Sequence, residues 1–194
     1  MTLNGRFDLF SHHVYAGQPD QLESTLWLAV VAKPAGDAPV TLQLLDGSTS
    51  LSQATLKGQT ASPFLPLPAL MAESGTAIAS GPGSKVAGDL LRGDIADELQ
   101  REWQIEPGSL SSLVVLPIPV AGLDPLLNGR NLQLRLQSSG PVHIATIAAY
   151  GNGDKVPGQD RWRKLLSEGR QSPKEHQPTP VSYTHLTLPT ILLV

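Results

Sequence analysis

Two alternating segments limit what this chain can fold into more than any other feature. Leu132-Gln133-Leu134-Arg135-Leu136-Gln137 carries an apolar residue at every second position, and Val142-His143-Ile144-Ala145-Thr146-Ile147-Ala148 does much the same. Successive side chains of a strand point to opposite faces, so a period of two buries one face and wets the other. Ser138-Ser139-Gly140-Pro141, between them, has turn chemistry. The pattern predicts an antiparallel hairpin. Leu132, Leu134 and Leu136 should face the core with Val142, Ile144 and Thr146 or their alternates, and Gln133 should not.

The rest of the chain reads as further short strands. Thr25-Leu26-Trp27-Leu28-Ala29-Val30-Val31-Ala32 is continuously apolar, as a strand buried on both faces should be. Lys33 to Ala38 supplies turn residues, and Val40 to Leu44 alternates, so this stretch reads as a second hairpin. Phe7 to Phe10 and Val14-Tyr15 suggest a first strand, interrupted near His12-His13. Leu113 to Val120 is extended, and Pro117 and Pro119 place it at a sheet edge. Asn128-Gly129 has turn chemistry. Lys57 to Met71 is irregular, because Pro63, Pro66 and Pro68 remove backbone donors. Lys85 to Arg92 predicts a short helix with Ser84 as N-cap and Gly93 as stop. Ile95 to Trp103 adds a helical turn or two. Asp160 to Glu168 places Trp162, Leu165 and Leu166 at helical spacing, ended by Gly169. The expected fold is mainly β, an antiparallel β-sandwich with one or two short helices. It should form a single domain over residues 1–170, followed by a polar, proline-rich extended tail at 171–180.

Composition narrows the function. The net charge of −3 offers no basic surface for a phosphate backbone, so no nucleic-acid partner is expected. With no cysteine, Cys-ligated zinc and a cysteine nucleophile are excluded. No apolar stretch is long enough to span a bilayer, so no transmembrane segment is expected. No signal peptide precedes Gly5-Arg6-Phe7.

Several residues could carry chemistry. His12, His13 and Asp8 are potential ligands for zinc or iron. Adjacent strand residues diverge, however, so the preferred reading buries one histidine and wets the other. No metal and no cofactor are expected. Gly81-Pro82-Gly83-Ser84-Lys85 resembles a phosphate cradle but lacks the full P-loop pattern, and a helix-capping turn accounts for it better. Asp89 and Arg92 lie three apart on one helix, within ion-pair reach. Arg6 and Arg130 each follow a glycine. Arginines in so uncharged a chain need carboxylates or carbonyls as partners, which suggests loop-pinning, with an acidic sugar or carboxylate ligand as the sharper alternative. Arg6, His12, His13, Arg92 and Arg130 are thus the candidate ligand-binding residues. Arg92-Gly93-Asp94 matches an adhesion tripeptide that chance supplies often. Trp27, Trp103 and Trp162 could stack on sugars, but Trp27 and Trp162 fit a core better. No Gly-x-Ser-x-Gly elbow is present, and nothing selects a pair of catalytic carboxylates.

Four islands recur in order along the chain: Gly5 to His13; Ser50-Leu51-Ser52-Gln53; Gly81 to Val86 with Asp89 to Gly93; and Pro117-Ile118-Pro119-Val120 with Leu127 to Arg130. Together they resemble an exported domain family, common in cyanobacteria, known only as a domain of unknown function. The resemblance includes the candidate arginines. Members of that family carry an export signal and further sequence before this point, which implies an N-terminal truncation here and a periplasmic or extracellular location for the full-length parent. The resemblance also implies a non-catalytic structural or binding module, with a carbohydrate or another envelope protein as partner. The alternative is an enzyme acting on envelope or extracellular glycans. A metal-dependent jelly-roll enzyme would require His12, His13 or His143 to converge. Residues 181–194 contain no Asp, Glu, Lys or Arg and resemble translated sequencing-adapter DNA, a non-native scar of a metagenomic read.

Overall fold

The computed structural model of the chain describes residues 2–17, 25–52, 54–56, 59–61, 82–123, 126–151 and 155–168. Its strands are β1 (Thr2–Ala16), β2 (Leu26–Pro34), β3 (Val40–Leu51), β4 (Ala54–Leu56), β5 (Gln59–Ala61), β6 (Glu102–Ile105), β7 (Ser111–Ile118) and β8 (Leu127–Tyr150). Its helices are α1 (Pro82–Arg92) and α2 (Gln159–Glu168). Among the described residues the fold is mainly β and antiparallel with two short helices, as the sequence leads one to expect. Its main sheet curls nearly into a barrel instead of dividing into two clear sandwich layers.

The central element is β8, 24 residues long. Leu3 and Pro34 both pair with Val142, so β1 and β2 occupy opposite edges of β8. Arg6 and Gln43 both pair with Gln137, so β1 and β3 do as well. It follows that β2 and β3 run one after the other along a single edge of β8. The next row repeats this arrangement, with β6 on β3 and β7 on β2. All rows bend at one corner, formed by Ser139-Gly140-Pro141 in β8 and by residues 35–39 and 106–110 in the neighbouring rows. In β1 the corner falls at Gly5, where φ is +73° and the register shifts. Gly108, with φ +71°, serves the same bend.

Two hairpins expected from sequence are therefore absent. Leu132–Gln137 and Val142–Ala148 do not pair with each other: they are consecutive halves of β8, the first flanked by β1 and β3 and the second by β2. Likewise β2 and β3 do not pair. Ser139, Gly140 and Pro141 interrupt the ladder as a turn would, but the strand changes direction through a corner without reversing. The alternation itself is correct, with Leu132, Leu134, Leu136 and Val142 fully buried. Three smaller corrections concern local breaks. The first strand runs unbroken through His12-His13 and is irregular near Gly5 instead. Asn128-Gly129 lies within β8, not in a turn, because Asn128 finds partners for its side chain inside the barrel. Trp103 lies in β6, after a short turn in which Leu99 N–H donates to Ala96 C=O.

Two cores result. The inner one collects Leu28, Val30, Leu42, Trp103, Ile105, Leu116, Ile118, Leu132, Leu134 and Leu136 from both halves of the bent sheet. Burying one such leucine stabilises the fold by about 1.5–3 kcal/mol. The outer core lies where α2 covers the sheet, with Trp162 seated on Ala29, Val31 and Ala149. The strand β2 thus faces a core on each side, as its unbroken apolar run implies. The edge position of β7 also holds, since among the described residues it pairs only with β2.

The helix α1 begins at Pro82, which places Ser84 inside the first turn and not at the N-cap. Proline suits that position because its missing N–H has no helical partner there. Gly93, at φ +73°, ends the helix as expected, and Asp94 N–H donates to Asp89 C=O at 2.9 Å. Of the irregular Lys57–Met71 stretch, only β5 is described, paired with β4. Gly81, Gly169 and residues 171–194 lie outside the described residues.

Candidate functional site

The two ends of β8 meet at the end of the barrel opposite the corner. Tyr15, which pairs with Asn128, packs edge-on against Tyr150, with ring centroids 5.5 Å apart. Burial, and then the neighbouring Tyr150, raises the Tyr15 pKa. Alternation in β8 turns Asn128 and Arg130 towards the interior, on the same face as Leu132. Their side chains close the end against β7: Asn128 Nδ2 donates to Pro119 C=O at 2.7 Å, and Arg130 Nε to Pro117 C=O at 2.9 Å.

Arg130 is 6% exposed. A terminal nitrogen donates to Thr49 Oγ1 at 3.0 Å, and that hydroxyl donates on to Asn131 C=O at 2.8 Å. No carboxylate lies within ion-pair distance of it among the described residues. Burial accordingly pushes its pKa down to about 10, opposed only by the more distant charge of Glu98. Ser52 ties β3 to the same place. Its Oγ accepts from Gly129 N–H at 2.7 Å and bonds Asn128 Oδ1 at 3.1 Å.

On the outer face, His12 Nδ1 donates to Oδ1 of the buried Asn131. A side chain at Gly83, in the first turn of α1, would meet Asn131 Nδ2 at 2.9 Å, so the helix approaches this closely only with glycine there. Nearly two turns on, Asp89 is buried and accepts from Ser48 Oγ, Lys85 Nζ and Arg92, each at 2.6 Å. Burial would raise its pKa, but the bonds from Lys85 and Ser48 and the charges of Lys85 and Arg92 outweigh that and hold it below the usual value.

The islands scattered along the sequence therefore converge. His12 and His13, Ser50 to Ser52, Gly83 with Asp89, Pro117 to Pro119, and Asn128 to Arg130 all meet at one end of the barrel and beneath α1. The candidate residues do not form one pocket, however. His12 and His13 diverge as expected: His12 is exposed, while His13 is half-buried beside Ser11 Oγ at 3.1 Å. Asp8 turns to Arg135 at 2.9 Å, and His143 lies past the corner. Arg92 is spent on Asp89 and Asp94. Arg6 is exposed on β1, away from this end. Among the described residues no three His, Cys, Asp or Glu side chains group as metal ligands do. The three tryptophans share no surface, since Trp103 belongs to the inner core, Trp162 to the outer one, and Trp27 packs against the outer.

Sequence reasoning missed Thr49, Ser52, Asn128 and Asn131 as members of one polar network. Asn128 carried the only legible signal, an amide side chain just ahead of a strongly alternating strand. Near the corner, a groove of about 170 Å³ is lined by Thr41, Gln43, Gln137, Ser138 and Ser139. That is below the ~300–1,000 Å³ usual for small-molecule sites, and the lining holds no acid or base.

The model of the family described as a protein of unknown function (DUF3370) matches residues 1–189, and the chain belongs to that family. No curated protein and no solved structure matches it.

Proposed function

We propose that this member of a family of unknown function is a non-catalytic structural or binding module of an exported or cell-envelope protein. One observation carries the reading. The polar groups that converge at the barrel end are spent on one another. Arg130 holds two strands through Thr49 Oγ1 and Pro117 C=O, and Asn128 and Ser52 join three. Such a network rigidifies a fold, whereas a reactive site needs a group left poised for substrate. Export and the envelope location rest on the resemblance of the four islands, and a carbohydrate or another envelope protein is the corresponding partner.

Incubation of the purified protein with cell-wall sacculi and a panel of extracellular polysaccharides tests this. Cosedimentation or inertness, without time-dependent release of reducing ends, is expected. Release that disappears on substituting a single carboxylate would establish the glycan-hydrolase reading in its place. Fractionation of cells making the protein should place it outside the cytoplasm, and a cytoplasmic pool alone would refute the location. We also read residues 181–194 as adapter read-through. Their deletion should leave the melting temperature unchanged, and a fall of several degrees would make them native.

A further inference from the structure

We propose that β1 is a self-recognition strand, through which two copies of the chain pair antiparallel about a two-fold axis at Phe10. The strand is 15 residues long. One edge is held by β8 along its whole length, and among the described residues no strand pairs with the other. A row of free N–H and C=O groups on such an edge is a template for a further strand. Its outer face presents Arg6, Asp8, Phe10, His12 and Val14, all exposed, while the alternate residues turn inwards. Phe10 and Val14 are 65% and 55% exposed, unusual for large apolar side chains on a strand that also carries charges.

The order of those residues favours one register with a second copy. Like faces meet only when the two-fold passes through a residue, because a one-residue slip turns every side chain over. Centred on Asp8, the pairing sets two carboxylates against each other. Centred on Leu9, it sets Arg6 against the partner's His12 and Asp8 against the partner's Phe10. Centred on Phe7, it matches Arg6 with the partner's Asp8 but leaves Val14 outside the ladder and sets Phe10 against Asn4. Centred on Phe10, it spans residues 4–16 and stacks the two Phe10 rings. Asp8 then lies opposite the partner's His12 twice over, an acid against a base, and the Arg6 stem covers the partner's Val14. Directly opposed side chains lie about 4.5–5.5 Å apart at Cβ, near enough for these pairs to interact. Charges on an edge normally prevent indiscriminate pairing; here they oppose like charges in the register centred on Asp8 and unlike groups in the one centred on Phe10.

The absence of native cysteine makes the test direct. Phe10→Cys and Asp8→Cys are made separately in the whole chain, checked for an unchanged melting temperature, and treated with a mild oxidant or a short bis-maleimide. In the proposed register the thiols at position 10 face each other across the axis, while those at position 8 lie roughly 13 Å or more apart along the strand. Phe10→Cys should crosslink to a dimer and Asp8→Cys should not. Sedimentation of the unmodified protein should show a concentration-dependent dimer, and Phe10→Asp should weaken it at least tenfold (~1.4 kcal/mol). A monomer at all concentrations would overturn the proposal. So would crosslinking at position 8 without position 10, or a dimer indifferent to Phe10→Asp.

Discussion

Replacing Asp89 by alanine tests how α1 is fastened to the sheet. Asp89 accepts from Ser48, Lys85 and Arg92, each at 2.6 Å. The three bonds are not equal. The side chains of Lys85 and Arg92 are 45% and 53% exposed, so the pair with Lys85 contributes only about 0.3–0.5 kcal/mol and the solvent-screened pair with Arg92 adds little. Ser48 is fully buried, and its hydroxyl would be left without an acceptor, at a cost of about 1–3 kcal/mol. Asp89→Ala should therefore destabilise by roughly 1.5–3.5 kcal/mol, which for a chain of this size lowers the melting temperature by about 3–14 °C. Thermal unfolding followed by circular dichroism measures this. Adding Ser48→Ala to Asp89→Ala should recover part of the loss, because no orphaned hydroxyl remains. A shift below 2 °C for Asp89→Ala, or purely additive losses in the double variant, would refute this account of the anchor.

The same carboxylate sets a pH dependence. Its folded pKa is depressed, so its contribution is present above the unfolded carboxylate value of about 4 and is lost as pH falls through the lower folded value. The wild-type melting temperature should therefore fall more steeply than that of Asp89→Asn below about pH 4, and parallel curves would exclude this role. Leu134→Ala should cost about 2–5 kcal/mol, whereas Gln133→Ala should stay within about 0.5 kcal/mol, as chemical denaturation will show. Gly93→Ala forces a Cβ into a left-handed conformation and should cost about 1 kcal/mol. An unchanged midpoint there would mean that α1 can end in another way.

The legible and the illegible parts of this fold divide along a physical line. Facing could be read, because burial follows the period of the side chains, as Leu132, Leu134 and Leu136 and the doubly buried β2 show. Pairing could not. Ser139-Gly140-Pro141 breaks a ladder whether the chain reverses or only bends, and the distinction depends on partners more than 100 residues away, such as Arg6 for Gln137. The polar barrel end was legible only as scattered islands. Asn128 and Thr49 look like ordinary turn and surface residues until β8 curls and brings β7 against its own beginning.

The position of β8 in the chain also sets the order in which the molecule can come into being. Neither β1 nor the end of β3 has its sheet partner until residues 127–143 have been made, although both strands lie within the first 51 residues. At a synthesis rate of about 5–20 residues per second, β1 leaves the ribosome several seconds or more before β8 exists. During that interval the segment carrying Phe7, Leu9, Phe10 and Val14 has nothing to pair with. Folding must close the loop from Thr2 to His143 in one late step, which makes it slow and nearly all-or-none. A nascent chain interrupted before residue 127 can form the β2–β7 and β3–β6 ladders but lacks the strand that joins them and the whole of β1's pairing, so holdase chaperones should recognise it as long as synthesis continues.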